Sequence, residues 1–393
     1  MCGLQRTAGG DAAGCDEAIG LAVTLRLRVA PFSGVGHQGS NPQVEALLMT
    51  PMNPKLGAAL AAVLAILGQE ARAATPELVA AARKEGEVTW YTTQIVNQLV
   101  LPVKTAFEKK YGVKINYVRA NTGDVVLRIL NEEKAGRVQC DVFDGLSTVA
   151  TLVREPGVVL KWTPDEARDY PPERVDPQGY WTATYLAVAV PAVNTELVPA
   201  GQEPRSWEDL LAPRWKGKMA WSVSNSSTSG AGFVGTVLDA WGREKGMDYL
   251  NRLAQQNVTN IQVASREILN QVIAGEYAIA LQVNNHHASI SARMGAPVKW
   301  LKFSPAQVNS GNVSVLQKAP HPNAAKLLAD FLVSVEGQAI YRDNGYIPAH
   351  PKVPALDPDL LPDGKELVGK FYTPEKIDED LPRWEKTFHE IFR

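Results

Sequence analysis

The 393-residue chain is long enough for two to three domains at about 150 residues each. It is 45% hydrophobic and 21% charged, the balance of a globular protein, and its formal net charge of −2 supplies no basic field to recruit nucleic acid or an anionic membrane. Its three cysteines, Cys2, Cys15 and Cys140, form no Cys-x-x-Cys pair, which excludes a cysteine-built zinc site and a disulfide framework.

In chain order the first patterned segment is MNPKLGAALAAVLAILGQEARA, residues 52–73. Lys55 makes a positive start, Leu56 to Leu67 is apolar, and Ala71-Arg72-Ala73 is a small-residue cleavage pattern. This is the three-part build of a secretory signal peptide, and the apolar run is too short to span a bilayer. Residues 1–51, rich in Gly and Ala, have no sustained periodicity and read as a non-native extension, with translation starting at Met52. Cleavage after Ala73 is expected to release a free protein into the periplasm.

Thr75-Pro76-Glu77 opens a helix as N-cap, first-turn proline and first-turn acid. EVTWYT (87–92) reads as a strand, 96–110 as a helix, VKINYVRA (113–120) as a strand, Thr122 to Ala135 as a helix, and CDVFDG (140–145) as a strand. The β-α-β-α-β order with short connections predicts an α/β fold with a parallel sheet. Residues 156–180 are rich in Pro, Gly and charge and read as loop. YLAVAVPAVN (185–194) is a β-rich stretch broken by Pro191, and KGKMAWSV (216–223) is a strand ending in the polar loop SNSSTSG. Helices are predicted over 231–246, 247–257 and 264–276. YAIALQV (277–283) is a buried strand running into an Asn-Asn-His-His loop. VKWLKF and GNVSVLQK are later strands, and 321–345 is a helix pair.

In open parallel sheets ligands sit beyond the carboxyl ends of the strands. That rule selects Tyr91, Thr92 and Thr93 after the first strand, and Asp144 and Ser147 after the third. It also selects Thr228, Ser229, Gly230 and Ala231 after MAWSV, and Asn284, Asn285, His286 and His287 after YAIALQV. Ser229-Gly230-Ala231 is a helix start whose N–H groups and dipole favour an anion, and Tyr91 is placed to stack on an organic ligand. The same stretch, GAGFVG, fits Gly-x-Gly-x-x-Gly, but no strand leads directly into it and the residues twenty on are helical, so a dinucleotide is not expected. His286 and His287 are read as hydrogen-bond donors to an anion, becoming partly cationic beside it. As metal ligands they lack companions, since only Asp144 stands near among these loops. No metal, cofactor or catalytic residue is assigned. A secreted hydrolase pairing His286 with a serine is the alternative, although Gly145-Leu146-Ser147-Thr148-Val149 lacks the last glycine of a nucleophile elbow.

Several of these segments, in this order, carry a resemblance. GEVTWYT, CDVFDG, SWEDLLAPRWKGKMA (206–220), SSTSGAG (226–232) and APHPNAAKLLADFLVSVEGQ (319–338) resemble the extracellular solute-binding proteins of ABC importers, in the group that includes the ferric-iron-binding periplasmic proteins. The resemblance implies two α/β lobes, 86–184 plus 309–393 and 185–308, joined by crossing strands around an interlobe cleft and closing by hinge motion. It implies a monomer with no enzymatic activity that captures a small polar or anionic solute, a metal complex among the alternatives, and delivers it to a membrane permease. In the iron-binding relatives the Asn-Asn-His-His loop resembles an asparagine followed by two tyrosines that hold iron. Here His286 and His287 stand in those places, which argues against that mode, because Fe(III) favours phenolate and carboxylate oxygen.

Overall fold

The computed structural model describes residues 74–146, 152–153, 155–223 and 229–392. The signal-like segment, the extension before it, Ser147 and Thr228 lie outside the described residues. Helix α1 (Pro76–Glu85) starts at Thr75, whose Oγ1 accepts from the Leu78 amide at 3.3 Å. Strand β1 (Glu87–Thr92) follows. One wide turn (Val96–Val100) then leads into α2 (Leu101–Tyr111), where Pro102 occupies the first helical turn and has no intrahelical carbonyl to bond. Strand β2 (Lys114–Arg119), α3 (Thr122–Lys134) and β3 (Val142–Gly145) complete the unit. β1 lies between β2 and β3 and is parallel to both, as expected from the sequence.

The next elements are β4 (Thr182–Asn194), β5 (Met219–Ser222), α4 (Ser229–Trp241), α5 (Arg243–Ala254), β6 (Thr259–Ile261), α6 (Ser265–Ile273) and β7 (Ile279–Asn284). They are followed by α7 (Asn285–Arg293), β8 (Val298–Trp300), β9 (Ala306–Val315), α8 (Pro322–Val333), α9 (Val335–Asp343), β10 (Ile347–Pro348), β11 (Gly369–Phe371) and α10 (Pro374–Ile391). Four expectations change. Pro191 does not end its strand: β4 runs through it, and the register shifts between Val190 and Ala192, the bulge that accommodates a residue without an amide proton. The helix expected over 231–246 divides at Gly242, whose φ of 79° is left-handed, and α5 starts at Arg243. β9 begins at Ala306, earlier than GNVSVLQK. The Asn-Asn-His-His stretch is the first turn of α7, not a loop. Among the described residues no helix is long and apolar enough to cross a membrane.

The strands join in the order β2-β1-β3-β9-β4-β7-β5-β6. β4 and β9 are antiparallel, long and buried throughout, and each passes from one half of the sheet to the other. The chain thus folds as two α/β lobes connected by crossing strands. One apolar core gathers Trp90, Phe107, Phe331 and Tyr341, and a second gathers Trp207, Trp221, Phe233 and Phe388. Along β9, Ala306 and Val308 join an apolar cluster, while Gln307 and Asn309 point to the other face, the two-residue period of a strand.

The three glycines of GAGFVG fall inside α4, and each gives up a side chain so that a neighbour can approach. A Cβ on Gly230 would stand 2.4 Å from the Phe388 ring, one on Gly232 2.3 Å from Gln307 Oε1, and one on Gly235 2.2 Å from the Trp384 ring. Gly230 and Gly235 are the seat of α10 and Gly232 makes room for Gln307 of β9; the pattern is not a phosphate loop. Gly235→Ala is therefore expected to destabilise by about 1–3 kcal/mol from overpacking, against a gain of about 1 kcal/mol that alanine brings in an open helix. Denaturant melts of Gly235→Ala, Trp384→Phe and the double variant measure the coupling, and simple additivity would show that the contact is absent.

Candidate functional site

β4, β7 and β9 carry polar side chains on one face where an all-apolar core would be more stable. Gln282, Gln307 and Asn309 are each less than a tenth exposed, yet line a cavity of about 170 Å³ with Tyr185 and Ala189 from β4. Gln307 Nε2 donates to Asn309 Oδ1 at 3.1 Å, which fixes both amides. Around this floor the cavity is walled by helix beginnings. Asn121 and Thr122 open α3, Ser229 opens α4, Ala264 and Ser265 open α6, and Asn284 and His287 belong to the first turn of α7. The residues preceding α3, α6 and α7 make no side-chain hydrogen bond to the helix, whereas Thr75, Ser334 and Thr373 cap α1, α9 and α10 in that way. Away from the cavity α2, α5 and α8 lack such a cap as well, so what distinguishes α3, α6 and α7 is that their uncapped beginnings, with the positive ends of their dipoles, line the cavity.

Two guanidiniums add full charge. Arg119, at the end of β2, is exposed. Arg266, in the first turn of α6, is half-buried and donates to the His287 carbonyl at 3.3 Å and to Ser291 Oγ at 3.0 Å. Burial lowers the Arg266 guanidinium from its usual value, but an arginine stays cationic in a protein. Tyr346, from the segment after α9, closes the wall between them. Burial and the Asp144 charge push its hydroxyl far up, with Arg266 and Arg119 acting in the other direction.

The residues anticipated from the strand-end rule divide into three groups. Thr93, Ser229, Asn284 and His287 line the cavity. Thr92, Asp144, Asn285 and His286 lie directly behind it, fully buried. Asp144 Oδ2 accepts from Gln94 Nε2 at 3.1 Å, and Gln94 itself lines the cavity, so the carboxyl sits one hydrogen bond from the solute space. Burial pushes that carboxyl up to about 7, against the pull of hydrogen bonds from Thr92 and Gln94. Asn285 Nδ2 donates to the Leu360 carbonyl at 2.7 Å and its Oδ1 accepts from the His286 amide at 2.8 Å, a structural role.

Tyr91, Gly230 and Ala231 turn away. Alternation along β1 puts Tyr91 on the face covered by Val125 and Ile129 of α3. There its hydroxyl donates to Glu132 Oε1 at 2.7 Å and the Arg128 guanidinium lies 4.7 Å over its ring, so it is not available to stack on a ligand. Gly230 faces Phe388, and Ala231 packs by Trp384 and Tyr372.

The histidine pair also behaves differently from expectation. A helical turn brings the two rings to 4.3 Å, one behind the other: His287 reaches the cavity, while His286 is buried against Tyr185 and Tyr346. Both are held neutral. Burial, with the neighbouring His287 ring and the Arg266 charge, pushes His286 well down, and burial with Arg266 pushes His287 down to about 3. The cations of this site are arginines, and burial together with Arg266 disfavours a charge on the histidines. Among the described residues no three His, Cys, Asp or Glu side chains come together as a metal site.

Sequence reasoning missed Arg119, Arg266, Tyr346 and two residues of the C-terminal helix, Leu381 and Glu385, all of which line the cavity. Arg119 was within reach of the strand-end rule, because it ends β2.

Known proteins place this architecture. The sequence pattern of bacterial extracellular solute-binding proteins matches residues 155–371. A probable ABC transporter periplasmic-binding protein of Sinorhizobium fredii is 24% identical over 268 residues, 66% of this chain and 74% of that protein. A putative 2-aminoethylphosphonate-binding periplasmic protein of Salmonella typhimurium is 23% identical over 262 residues, 65% of this chain and 72% of that one. The periplasmic binding protein AfuA of Actinobacillus pleuropneumoniae, with fructose-6-phosphate bound, superposes with a TM-score of 0.66 at 23% identity, covering 77% of this chain and 99% of that structure.

Proposed function

Because the chain belongs to the bacterial extracellular solute-binding proteins, we propose that its cavity captures a small organic anion of the phosphate or phosphonate type for delivery to an ABC importer permease. One observation carries the reading: uncapped helix beginnings and the guanidiniums of Arg119 and Arg266 converge on the same 170 Å³ space. Backbone donors aimed inward with dipole and full positive charge behind them form an anion site whose selectivity is for tetrahedral oxyanions with several acceptor oxygens. Two relatives point the same way, one named for 2-aminoethylphosphonate and one solved with fructose-6-phosphate bound. The proposed ligand contacts are Thr93, Ser229, Asn284 and His287 at the strand ends, joined by Gln94, Arg119, Arg266 and Tyr346.

The lobe division is proposed as 86–184 plus 309–373 against 185–308 plus α10, because Phe388 and Trp384 of α10 pack on α4. We further propose export through residues 52–73, a monomeric mature chain and no catalysis. A hydrolase would need a histidine aligned on a serine; among the described residues neither ring nitrogen of His286 has a hydrogen-bond partner, and Ser229 Oγ donates to the Gln282 carbonyl at 2.9 Å.

Calorimetry of the chain beginning at Ala74 with inorganic phosphate, alkylphosphonates, sugar phosphates and carboxylates tests the reading. The expected result is one phosphorus oxyanion bound at micromolar or tighter affinity, about −8 kcal/mol or better, with X-ray scattering showing a more compact particle. Failure of every phosphorus anion, with tight binding of a neutral or cationic solute, would overturn it.

A further inference from the structure

By packing, α10 belongs to the second lobe. Phe388 and Phe392 lie against Trp221 of β5, with ring centroids 5.2 and 4.7 Å away, and Trp384 fills the space left at Gly235 of α4. Asn260 of β6 donates from Nδ2 to the Phe392 carbonyl at 3.0 Å. Just ahead of the helix, Asp239 of α4 accepts from Lys370 Nζ at 2.7 Å and from the Tyr372 hydroxyl at 3.0 Å. The helix is thus pinned to that lobe at both ends.

Its first turn nevertheless reaches the first lobe. Trp181 Nε1 donates to Glu375 Oε1 at 2.5 Å. Trp181 immediately precedes β4, is 2% exposed, and packs with Tyr91, Val125 and Phe143 in an apolar core of the first lobe. Glu375 is exposed, and the turn that carries it is set by Thr373, whose Oγ1 accepts from the Lys376 amide at 3.3 Å. A donor fixed in one lobe therefore meets an acceptor fixed on the other. Among the described residues neither of the two lines the cavity, whereas Glu385, about 15 Å further along α10, does. The bond bridges the lobes without touching the solute space.

We infer that α10 is a clasp between the lobes, and that the Trp181–Glu375 hydrogen bond holds part of the population closed before a solute arrives. The inference rests on the proposed lobe division and on closure of the lobes, and is independent of the solute's chemistry. A solute that binds the closed form has an apparent Kd equal to its intrinsic Kd divided by the closed fraction. The clasp therefore multiplies the affinity for every solute by one common factor and leaves their ranking alone. A residue that touches the solute changes the ranking instead. Trp181 and Glu375 are positioning residues in this sense.

The test compares the mature chain with Glu375→Ala, Trp181→Phe, the double variant and Glu375→Gln, which keeps an acceptor oxygen and serves as the control for folding. In X-ray scattering without solute, Glu375→Ala and Trp181→Phe are expected to give a larger particle than the native chain, the double variant no larger a one, and Glu375→Gln one close to native. Calorimetry with inorganic phosphate and methylphosphonate is expected to show both anions weakened in Glu375→Ala by the same factor, about three- to tenfold, the range of a charge-assisted hydrogen bond reduced by solvent at an exposed carboxylate. A particle of unchanged size in Glu375→Ala overturns the inference, and so does unequal weakening of the two anions, which would put Glu375 in contact with the solute. If neither anion binds the native chain, the anion reading fails, and the scattering comparison still decides the clasp.

Discussion

Arg266→Ala is expected to weaken the bound phosphorus anion by about 10- to 100-fold, the range of about 1.5–3 kcal/mol for a hydrogen bond to a charged group. Arg119→Ala should cost less. The two differ in environment: Arg266 is half-buried and tied to the His287 carbonyl and Ser291, so its charge is preorganised and poorly screened, while Arg119 is exposed at the end of β2. The Arg119 contribution should shrink between 50 and 500 mM salt as the Debye length falls, and the Arg266 contribution should persist. Arg266 also braces α7, so a loss of affinity could arise from displaced histidines alone. Arg266→Lys separates the causes. It keeps the charge but cannot reproduce the planar fork, so an intermediate affinity indicates direct anion contact. Affinity restored to the native level by lysine would mean only the charge matters. Unchanged affinity in both Arg266→Ala and Arg119→Ala would remove the basis for an anion.

That Arg266 escaped a reading of the sequence has a physical cause, whereas Arg119, at the end of the recognised strand VKINYVRA, needed only the strand-end rule applied to β2. The strand-end rule works where a strand is recognisable, and it found Thr93, Ser229, Asn284 and His287 because EVTWYT, MAWSV and YAIALQV announce themselves. Arg266 follows β6, three residues long and without an apolar run, so no strand end was marked there. Tyr346, Leu381 and Glu385 come from segments that follow the recognisable α/β pattern and reach the cavity only through long-range packing, α10 by inserting Phe388 and Trp384 where Gly230 and Gly235 leave space. Side-chain parity was the other difficulty. Tyr91 and Thr92 are adjacent to Thr93, but alternation along β1 sends Tyr91 to the α3 side, and nothing local fixes which of neighbouring residues faces a cleft. The β-α-β order was legible because short connections between alternating patterns leave few topologies, whereas the crossing of β4 and β9 depends on pairing between segments more than a hundred residues apart.

The histidines show the same limit in electrostatic form. Counted by composition, His286 and His287 looked like the site's titrating groups. Placed in the fold, they are kept neutral by burial and by Arg266, and the group beside the cavity that does titrate near neutrality is a carboxylate, Asp144. A sequence gives charges at their ordinary values, and the neighbours that shift them come from other elements.

Asp144 should therefore make both stability and binding depend on pH, with a sign that can be stated. Its folded-state value, about 7, lies above the ordinary 3.8 because burial disfavours the carboxylate. The folded protein then binds a proton that the unfolded chain has released. Stability from this group is complete below about 3.8, is lost as pH rises between about 3.8 and 7, and stays reduced above that; the difference of roughly three pH units corresponds to about 4 kcal/mol. Of the tyrosines beside Asp144, burial pushes Tyr185, Tyr341 and Tyr346 far up, out of this window. His286 and His287 act in the same window with the opposite sign: they are held neutral in the fold but charge in the unfolded chain below about 6.5, so they cost stability as pH falls, and comparison with Asp144→Asn, which carries the same histidines, cancels them. Asp144→Asn keeps an acceptor for Gln94 Nε2 and removes the charge. It should melt higher than the native protein at pH 8, and the gap should narrow as pH falls and close only near and below 3.8. An ionised Asp144, one hydrogen bond from the cavity through Gln94, also repels the anion, so native affinity should fall across pH 6 to 8 more steeply than that of Asp144→Asn. Taking the difference between the two proteins cancels the ligand's own titration. Parallel pH profiles for both stability and affinity would show that Asp144 is already settled in one protonation state and takes no part in either.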